Sequence, residues 1–449
     1  MKRDFTRRNF LQTAAGAAGL ALAAKAVALP ETAYAQQWAT GPSGEMVQFG
    51  IIGIGMQGSG LLKNSVELPG TKCVAACDLW DGRQTLAKEI AGPDIMTTRK
   101  YQELLANKDI TALIVAVPDH WHKQIVVDAV TAGKDVYCEK PMSHSVADGA
   151  AMVAAAKKSG RIVQIGSQRT SSPLLAKAKQ LYDQGAIGEL LSVELSLGRN
   201  DPTGAWEYPP PPGLSPDNFD WDTWLGTAPK KPFDPITFAR WRCWKEYGTG
   251  VAGDLMVHLV SGVMFVTGMN QAPTRAFATG GIVRWKDGRN MPDLQAAIFE
   301  YGSVPAYVRL TLGTETTEMT RLMGPKGMLE IRERDFTFTP QRGIDTAPSY
   351  YSQGFPAAMR TAYEKQWDDE HEPAPGKEFV AEAVTYSGIS YDDVKPHLWN
   401  FFEAVRSRKP VVQDAVFGHH AAAACHMANQ AYFRKATVTW DEATSTIRS

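Results

Sequence analysis

"MVQFGIIGIGMQGSG", residues 46–60, is an apolar run that turns abruptly into glycines. The Gly53-x-Gly55-x-x-Gly58 spacing gives each glycine a task. Gly53 permits a tight strand-to-helix turn, Gly55 lets a pyrophosphate approach the backbone, and Gly58 lets the following helix pack on the strand. The phosphates of a dinucleotide then rest on a helix N-terminus, with Met56 and Gln57 in its first turn. The glycines alone are a weak signal, because any tight turn uses glycine. Here a second apolar stretch, "TKCVAACD" (71–78), follows and ends in Asp78, where an acid meets the ribose hydroxyls of the adenosine half. A carboxylate repels a 2'-phosphate and so favours NAD, but Arg83 nearby could offset that, and NADP stays open.

Working outward, helical patterns near "QTLAKEIAG", "YQELLAN" and "KQIVVDAVTAG" alternate with the apolar strands "TALIVAVP" and "DVYCEKP". That alternation predicts an α/β fold, a Rossmann doubly wound parallel sheet with its ligand at the carboxyl ends of the strands. Pro118, His120 and His122 of "VPDHWH" and Glu139 and Lys140 of "CEKPMSH" fall at those ends and are cofactor-binding candidates. Two histidines one residue apart, with no evident carboxylate partners, suit cofactor or substrate contact better than a metal, and no metal is expected.

Taken together, "IGIGMQG", "VPDHWH", "AGKDVYCEKP" and "GDLMVHLVSG", in this order and spacing, resemble the glucose-fructose oxidoreductase/inositol dehydrogenase/rhizopine-catabolism (Gfo/Idh/MocA) family. The likeness runs over nearly all of the chain beyond the leader, through "QIGSQRTSS", "FDWDTWLGTAPKKPF" and the closing "HLWNFFEAVRSRK…" stretch. It implies that Lys140, Asp254 and His258 form a site for oxidising a secondary alcohol. It also implies a second, α+β domain with an open, largely antiparallel sheet used for substrate binding and association, hence a homo-oligomer.

The residues themselves leave two readings of "GVAGDLMVHLVSG" (250–262). Asp254 and His258, four apart, stand on one helix face and can project together into a cleft; alternatively Asp254 caps the helix and His258 is a buried, satisfied imidazole. The glycine-rich approach "YGTGVAGD" narrows the gap between them, since it lets a helix start come close to a ligand. The chemistry agrees: a histidine can take the hydroxyl proton, a lysine ammonium can stabilise the developing alkoxide, and Asp254 can orient substrate and tune His258.

From about residue 170 the pattern changes to a helix ("LLAKAKQLYDQGAIG"), a strand ("LLSVELSLGR") and a long Pro/Trp-rich segment. Five of the twelve tryptophans (Trp206, Trp221, Trp224, Trp241, Trp244) fall in that segment. Such rings can stack on sugar C–H faces or simply pack a long loop. Gln168, Arg169, Trp241 and Arg242 are candidate substrate contacts. Residues 340–392 read as a polar surface insertion, and the closing helices as packing beside the nucleotide domain. His419 and His420, in the last of them, are weaker site candidates.

At 449 residues, 44% hydrophobic and 21% charged, the chain fits two or three globular domains of about 150 residues. Lys plus Arg is 47 against 48 for Asp plus Glu, which argues against a nucleic-acid partner. The five cysteines are scattered and odd in number, so no disulfide scaffold is expected, and Cys73 and Cys77 read as core. Arg7 and Arg8 precede an Ala/Gly-rich apolar stretch ending in "AYA", which resembles a twin-arginine export signal cleaved after Ala35. The expected organisation is a signal peptide over 1–35, an NAD(P)-binding domain over 36–170 and a substrate-binding, oligomerising domain over 171–449. With no membrane span after processing, the expected protein is periplasmic or secreted, exported folded by the twin-arginine machinery. Its expected activity is NAD(P)-dependent oxidation of a carbohydrate hydroxyl with a tightly bound, internally recycled cofactor. An NAD-cycling glycosidase or lyase and a non-catalytic sugar binder are the alternatives.

Overall fold

In the computed structural model, residues 25–28, 41–341, 349–370, 382–387 and 393–448 are described. After a short strand β1 (Lys25–Ala28) come β2 (Val47–Ile52), β3 (Thr71–Cys77), β4 (Met96–Thr98), β5 (Ala112–Val115), β6 (Asp135–Glu139) and β7 (Val163–Gly166). The last six form a parallel sheet in the order β4-β3-β2-β5-β6-β7. This is the Rossmann order, with its reversal between β2 and β5. All four residues of β5 and all five of β6, Asp135 and Glu139 among them, are buried, as strands must be when helices cover both faces of a sheet.

Those helices are α1 (Met56–Val66), α2 (Asp81–Ala91), α3 (Tyr101–Ala106), α4 (Asp119–Thr131) and α5 (Val146–Ser159). Ser145 caps α5 by accepting from the Asp148 N–H, and Gly160 ends it in the left-handed conformation at φ 64°.

The second sheet is built from β8 (Ser192–Gly198), β9 (Arg275–Gly281), β10 (Leu294–Tyr301), β11 (Val304–Thr311), β12 (Thr316–Met323), β13 (Gly327–Ile331), β14 (Asp335–Pro340), β15 (Val384–Ser387), β16 (Val438–Asp441) and β17 (Thr446–Arg448). With β1 at one edge it has eleven strands, ordered β1-β15-β14-β13-β12-β8-β11-β10-β9-β16-β17. Neighbours are antiparallel except β1 beside β15 and β11 beside β8. The sheet is open and largely antiparallel, as expected. One face packs on α6 (Pro173–Asp183) and on two helices numbered below, burying Leu174, Leu195, Val260, Phe299, Leu310 and Met427 in one core. On the other face Phe277, Ile298 and Tyr307 remain exposed.

The remaining helices are α7 (Trp221–Leu225), α8 (Pro235–Ala239), α9 (Val257–Thr267), α10 (Ser349–Ser352), α11 (Ala357–Glu370), α12 (Val394–Ser407) and α13 (Ala415–Arg434). The two helices on the sheet are α9 and α13. α12 belongs to the core of the nucleotide sheet: its Leu398, Trp399, Phe401 and Phe402 join Phe49, Leu61 and Leu62. The Phe49 and Phe402 rings stand 5.3 Å apart. α13 runs between the two sheets, and its Gly418 lies so close to Ile165 and Met142 that a side chain there would collide.

Two expectations are modified. Most of the leader lies outside the described residues, but Lys25–Ala28, expected to stand outside the fold, pairs in parallel with Val384–Ser387. A short apolar stretch next to an open sheet edge completes backbone hydrogen bonds there. The 340–392 region is not wholly insertion, since it supplies β15 to the sheet and the helices α10 and α11; residues 342–348, 371–381 and 388–392 lie outside the described ones. All five cysteines are free and buried.

Candidate active site

The site grows from the turn after β2. Gly53 has φ 90°, and a Cβ there would strike the Ala116 carbonyl at the end of β5. A Cβ on Gly58 would strike the carbonyl oxygen of Gly53, so α1 can lie against the strand only because neither residue has a side chain. Gly55 is different: a Cβ there would meet only the Arg83 guanidinium, at 3.6 Å, so Gly55 faces space at the N-terminus of α1.

Two cavities meet at this loop, and Arg83, Ala116, Val117, Pro118 and Phe238 line both. The larger, about 350 Å³, is also bounded by Gly53, Asp78 and Trp224. The smaller, about 120 Å³, is bounded by Gly55, Met56, Gln57, Asp119, Glu139, Lys140, Trp241 and Arg242. Two compartments joined beside a bare glycine at a helix N-terminus are what a dinucleotide requires: one for adenosine, one for nicotinamide, and the pyrophosphate between them. The residues fit the cofactor. Asp78 braces the turn. Its Oδ2 accepts from the Ile54 N–H at 2.7 Å and its Oδ1 from the Trp80 N–H at 3.0 Å, tying the glycine turn to the end of β3. Arg83 Nη1 stands 3.7 Å from the same carboxylate.

At the nicotinamide-side cavity, Lys140 Nζ donates to the backbone oxygen of Asp254 at 2.9 Å and to its Oδ1 at 3.1 Å. Arg242 Nε donates to the same Oδ1 at 3.0 Å while its guanidinium lies 4.3 Å over the Trp241 ring. Burial alone would push the Asp254 carboxyl up, but the Lys140 and Arg242 charges outweigh it and hold the group well below the usual carboxylate range. Lys140 comes from the end of β6, and Asp254 from 252–256, a single π-type turn leading into α9. Such wide turns inside helices recur at functional sites.

His258 sits in the first turn of α9. Its Nδ1 is buried without a hydrogen-bond partner. Burial first, then the Lys140 and Arg169 charges, lower its pKa well below the ordinary histidine value, and Asp254 opposes them only in part. The ring is therefore neutral at physiological pH. Asp254 and His258 are near enough for the carboxylate's charge to act on the imidazole, but their contacts differ. Asp254 is taken up by Lys140 and Arg242, whereas His258 lines a small cleft with Arg169, Ser172, Glu318 and Thr320.

Of the other candidates, Glu139 is buried and braced: Gln57 Nε2 and Gln168 Nε2 donate to its Oε1 at 3.0 and 2.7 Å, and the Lys140 N–H donates to its Oε2 at 3.1 Å. Burial raises its pKa. Gln168 thus supports Glu139, and Arg169 pairs with Glu318 beside His258. His120 and His122 present no free ring nitrogen to a cofactor. His120 Nδ1 and Nε2 lie 3.3 and 2.9 Å from the Tyr247 and Trp224 carbonyls, and His122 Nδ1 and Nε2 lie 2.8 and 2.9 Å from those of Pro141 and Val117. Both rings hold loops in place. His419 is buried with neither nitrogen bonded, and His420 Nδ1 lies 3.0 Å from Asn270 Oδ1; neither lines the two nucleotide cavities.

Asp119 went unnoticed in the sequence. It opens α4, lines the Lys140 cavity, and its Oδ2 accepts from both the N–H and the hydroxyl of Thr249, at 3.0 and 2.7 Å. It thereby joins the nucleotide domain to the segment that carries Asp254. An acid directly after the proline of "VPDHWH", at a helix start, was the available signal.

The family model described as "Oxidoreductase family, NAD-binding Rossmann fold" (Gfo/Idh/MocA) matches residues 47–167, and that described as "Oxidoreductase family, C-terminal alpha/beta domain" matches residues 175–278. Among curated proteins, the inositol 2-dehydrogenase of Salmonella typhimurium is 34% identical over 146 residues, 32% of this chain and 44% of that protein. The 2,7-anhydro-N-acetylneuraminate hydratase of Mediterraneibacter gnavus is 32% identical over 164 residues, 36% of this chain and 43% of that protein. The chain therefore spans less than half the length of these relatives. Among solved structures, a levoglucosan dehydrogenase in complex with NADH and levoglucosan superposes with TM-score 0.63 at 18% identity, covering 88% of this chain and 99% of that one. The aldose-aldose oxidoreductase of Caulobacter crescentus gives 0.62 at 19% identity, covering 88% and 100%.

Proposed function

Because the chain belongs to the NAD-binding Gfo/Idh/MocA oxidoreductase family, we propose that it oxidises a secondary hydroxyl of a sugar, cyclitol or glycoside. The observation that carries this reading is the anchored ammonium of Lys140 at the nicotinamide-side cavity. A lysine has three N–H donors. Two are spent on Asp254, so the third is free to be donated to a carbinol oxygen and to stabilise the charge that develops on it. Asp254 in turn is held ionised by Lys140 and Arg242, which keeps both cations in place. His258, neutral and close enough to feel the Lys140 and Asp254 charges, takes the hydroxyl proton. When bound, NAD supplies the acceptor for the hydrogen that leaves the carbinol carbon. The Trp241 ring, with Arg242 stacked on it, offers an aromatic and charged wall suited to a sugar.

The Arg7-Arg8 leader supports export in the folded state, and an exported enzyme finds no free nicotinamide pool. We therefore propose that the cofactor stays bound and is reset by a second carbohydrate. The exposed Phe277, Ile298 and Tyr307 on the open sheet face support a homo-oligomer. A second reading, transient oxidation followed by elimination and re-reduction, draws support from the relative named as a hydratase rather than a dehydrogenase. Mass spectrometry of nucleotide released by denaturing the purified protein, followed by product analysis with sugars, cyclitols and glycosides, tests both. Bound NAD with an oxidised sugar as product supports the first reading, and a cleaved glycoside without net oxidation supports the second. Absence of any nucleotide, bound or bindable, would refute both and leave a binding protein.

A further inference from the structure

The Trp-rich segment has a place that its composition did not suggest. Asp220, Thr223, Trp224 and Phe238 line the adenosine-side cavity opposite Gly53 and Asp78. We propose that residues 218–247 are a preformed clasp that closes the adenosine end of the dinucleotide site, so that nucleotide leaves only when the clasp lifts.

The segment is pinned to the nucleotide domain at two places. At the first, the Asp81 N–H donates to the Asn218 carbonyl and the Asp220 N–H to the Leu79 carbonyl, both at 3.1 Å, making an isolated antiparallel bridge between Trp80 and Phe219. This pin lies just past Asp78, which lines the same cavity. At the second, Trp121 Nε1 donates to the Trp224 carbonyl at 2.9 Å, and His120 spans the Trp224 and Tyr247 carbonyls. Gly226 lies against the Trp121 ring, where a Cβ would come within 3.2 Å.

Between the pins the clasp has a core of its own. Phe219, Trp221, Trp224, Leu225, Phe238 and Tyr247 form one buried cluster, and Leu79 and Trp80 of the nucleotide domain pack into it. Trp221 and Trp224 are stacked at 4.9 Å, and Phe219 and Phe238 stand 4.7 Å apart. A lid that is already ordered loses no conformational entropy on closing over a ligand, so the attraction is not spent on ordering and dissociation slows. Arg83 completes the closure. Its guanidinium lies 4.7 Å over the Phe238 ring, across the junction of the two cavities and beside Gly55. The clasp presupposes a bound dinucleotide but not which carbohydrate is oxidised, so the two ideas can fail separately.

The test is the rate at which the purified full chain, loaded with radiolabelled NAD, releases label into excess unlabelled NAD. Trp121→Phe keeps an aromatic ring but removes the indole N–H and with it one pin; Phe238→Ala removes the cavity wall beneath Arg83. Release is expected to quicken about fivefold for Trp121→Phe, the weight of one hydrogen bond, and more than about tenfold for Phe238→Ala, which also opens the wall. Thermal unfolding of each variant establishes that it is folded, and Trp121→Phe alone suffices if Phe238→Ala is not. Release unchanged within about twofold in a folded variant would overturn the clasp. Faster release from a protein that oxidises no carbohydrate would uphold the clasp and sink the proposed activity, whereas a wild-type chain that binds no dinucleotide would overturn both.

Discussion

Replacing Asp254 by asparagine removes one negative charge from between two cations while preserving the side chain's shape. Lys140 Nζ and Arg242 Nε stand 3.1 and 3.0 Å from its Oδ1, and all three side chains are at least four-fifths buried. With charge centres about 4 Å apart and an effective dielectric constant of about 20, each attraction is worth about 4 kcal/mol before costs. Mutual repulsion of the two cations and desolvation consume much of the total. Breaking a buried pair typically costs about 3–5 kcal/mol. Asparagine still offers a carbonyl oxygen and Lys140 keeps the backbone oxygen of residue 254, so the lower end, about 3 kcal/mol, is expected. Urea unfolding at pH 7 of wild type, Asp254→Asn and Asp254→Asn/Arg242→Met measures it. The double variant, with one stranded cation fewer, should recover part of the loss. Because the folded-state pKa of Asp254 is depressed, its contribution is complete above the unfolded value, about 4, and is lost only as pH falls below that toward the folded value. The difference between wild type and Asp254→Asn should therefore be flat from pH 5 to 8. A loss under about 0.5 kcal/mol, or a difference that shrinks within that range, would refute the account of Asp254 as the anchor of the site.

His258→Ala should lower turnover by about 10²- to 10⁴-fold with ligand affinity largely kept; retained turnover would remove His258 from the chemistry. Gly58→Ala should destabilise the nucleotide domain by about 2–3 kcal/mol, because the new methyl meets the Gly53 carbonyl, and an unfolding midpoint equal to wild type would contradict that packing. Stability should fall as pH drops from about 6.5 to about 4. Burial depresses His120, His397 and His419 to about 4 and His426 to about 3, so the unfolded chain binds protons that the folded one refuses. Each costs about 2 kcal/mol by pH 5, partly offset by Asp119 and Glu139, whose burial raises their pKa. Denaturation at pH 7, 6 and 5 reads the slope, and a flat profile would mean that these imidazoles are solvated.

Much of the nucleotide domain was legible because its signals are local. The glycine spacing, the apolar runs and the acid ending β3 each act within a dozen residues, and the strands and helices fell where periodicity placed them. Lys140 and Asp254 were identified from their neighbourhoods, and the structure joins them by direct hydrogen bonds. The reading of His120 and His122 as cofactor contacts gave way because a ring nitrogen's partner is set by distant carbonyls, those of Trp224, Tyr247 and Pro141 among them. Asp119 was missed for the same reason: its partner, Thr249, lies 130 positions along the chain.

The sequence by itself determined the doubly wound nucleotide domain, the dinucleotide turn and the residue types at the site, since steric permission at glycine, hydrophobic period and charge are properties of short stretches, whereas the second domain's sheet was expected from the family resemblance. Only the tertiary structure decided how those residues are used. That Asp254 pairs with two cations, and that Trp224 lines a cavity with Gly53 and Asp78, depends on what the fold brings opposite them. Burial, which sets the charge state of His258 and Asp254 alike, is a property of the packed chain and of no segment alone.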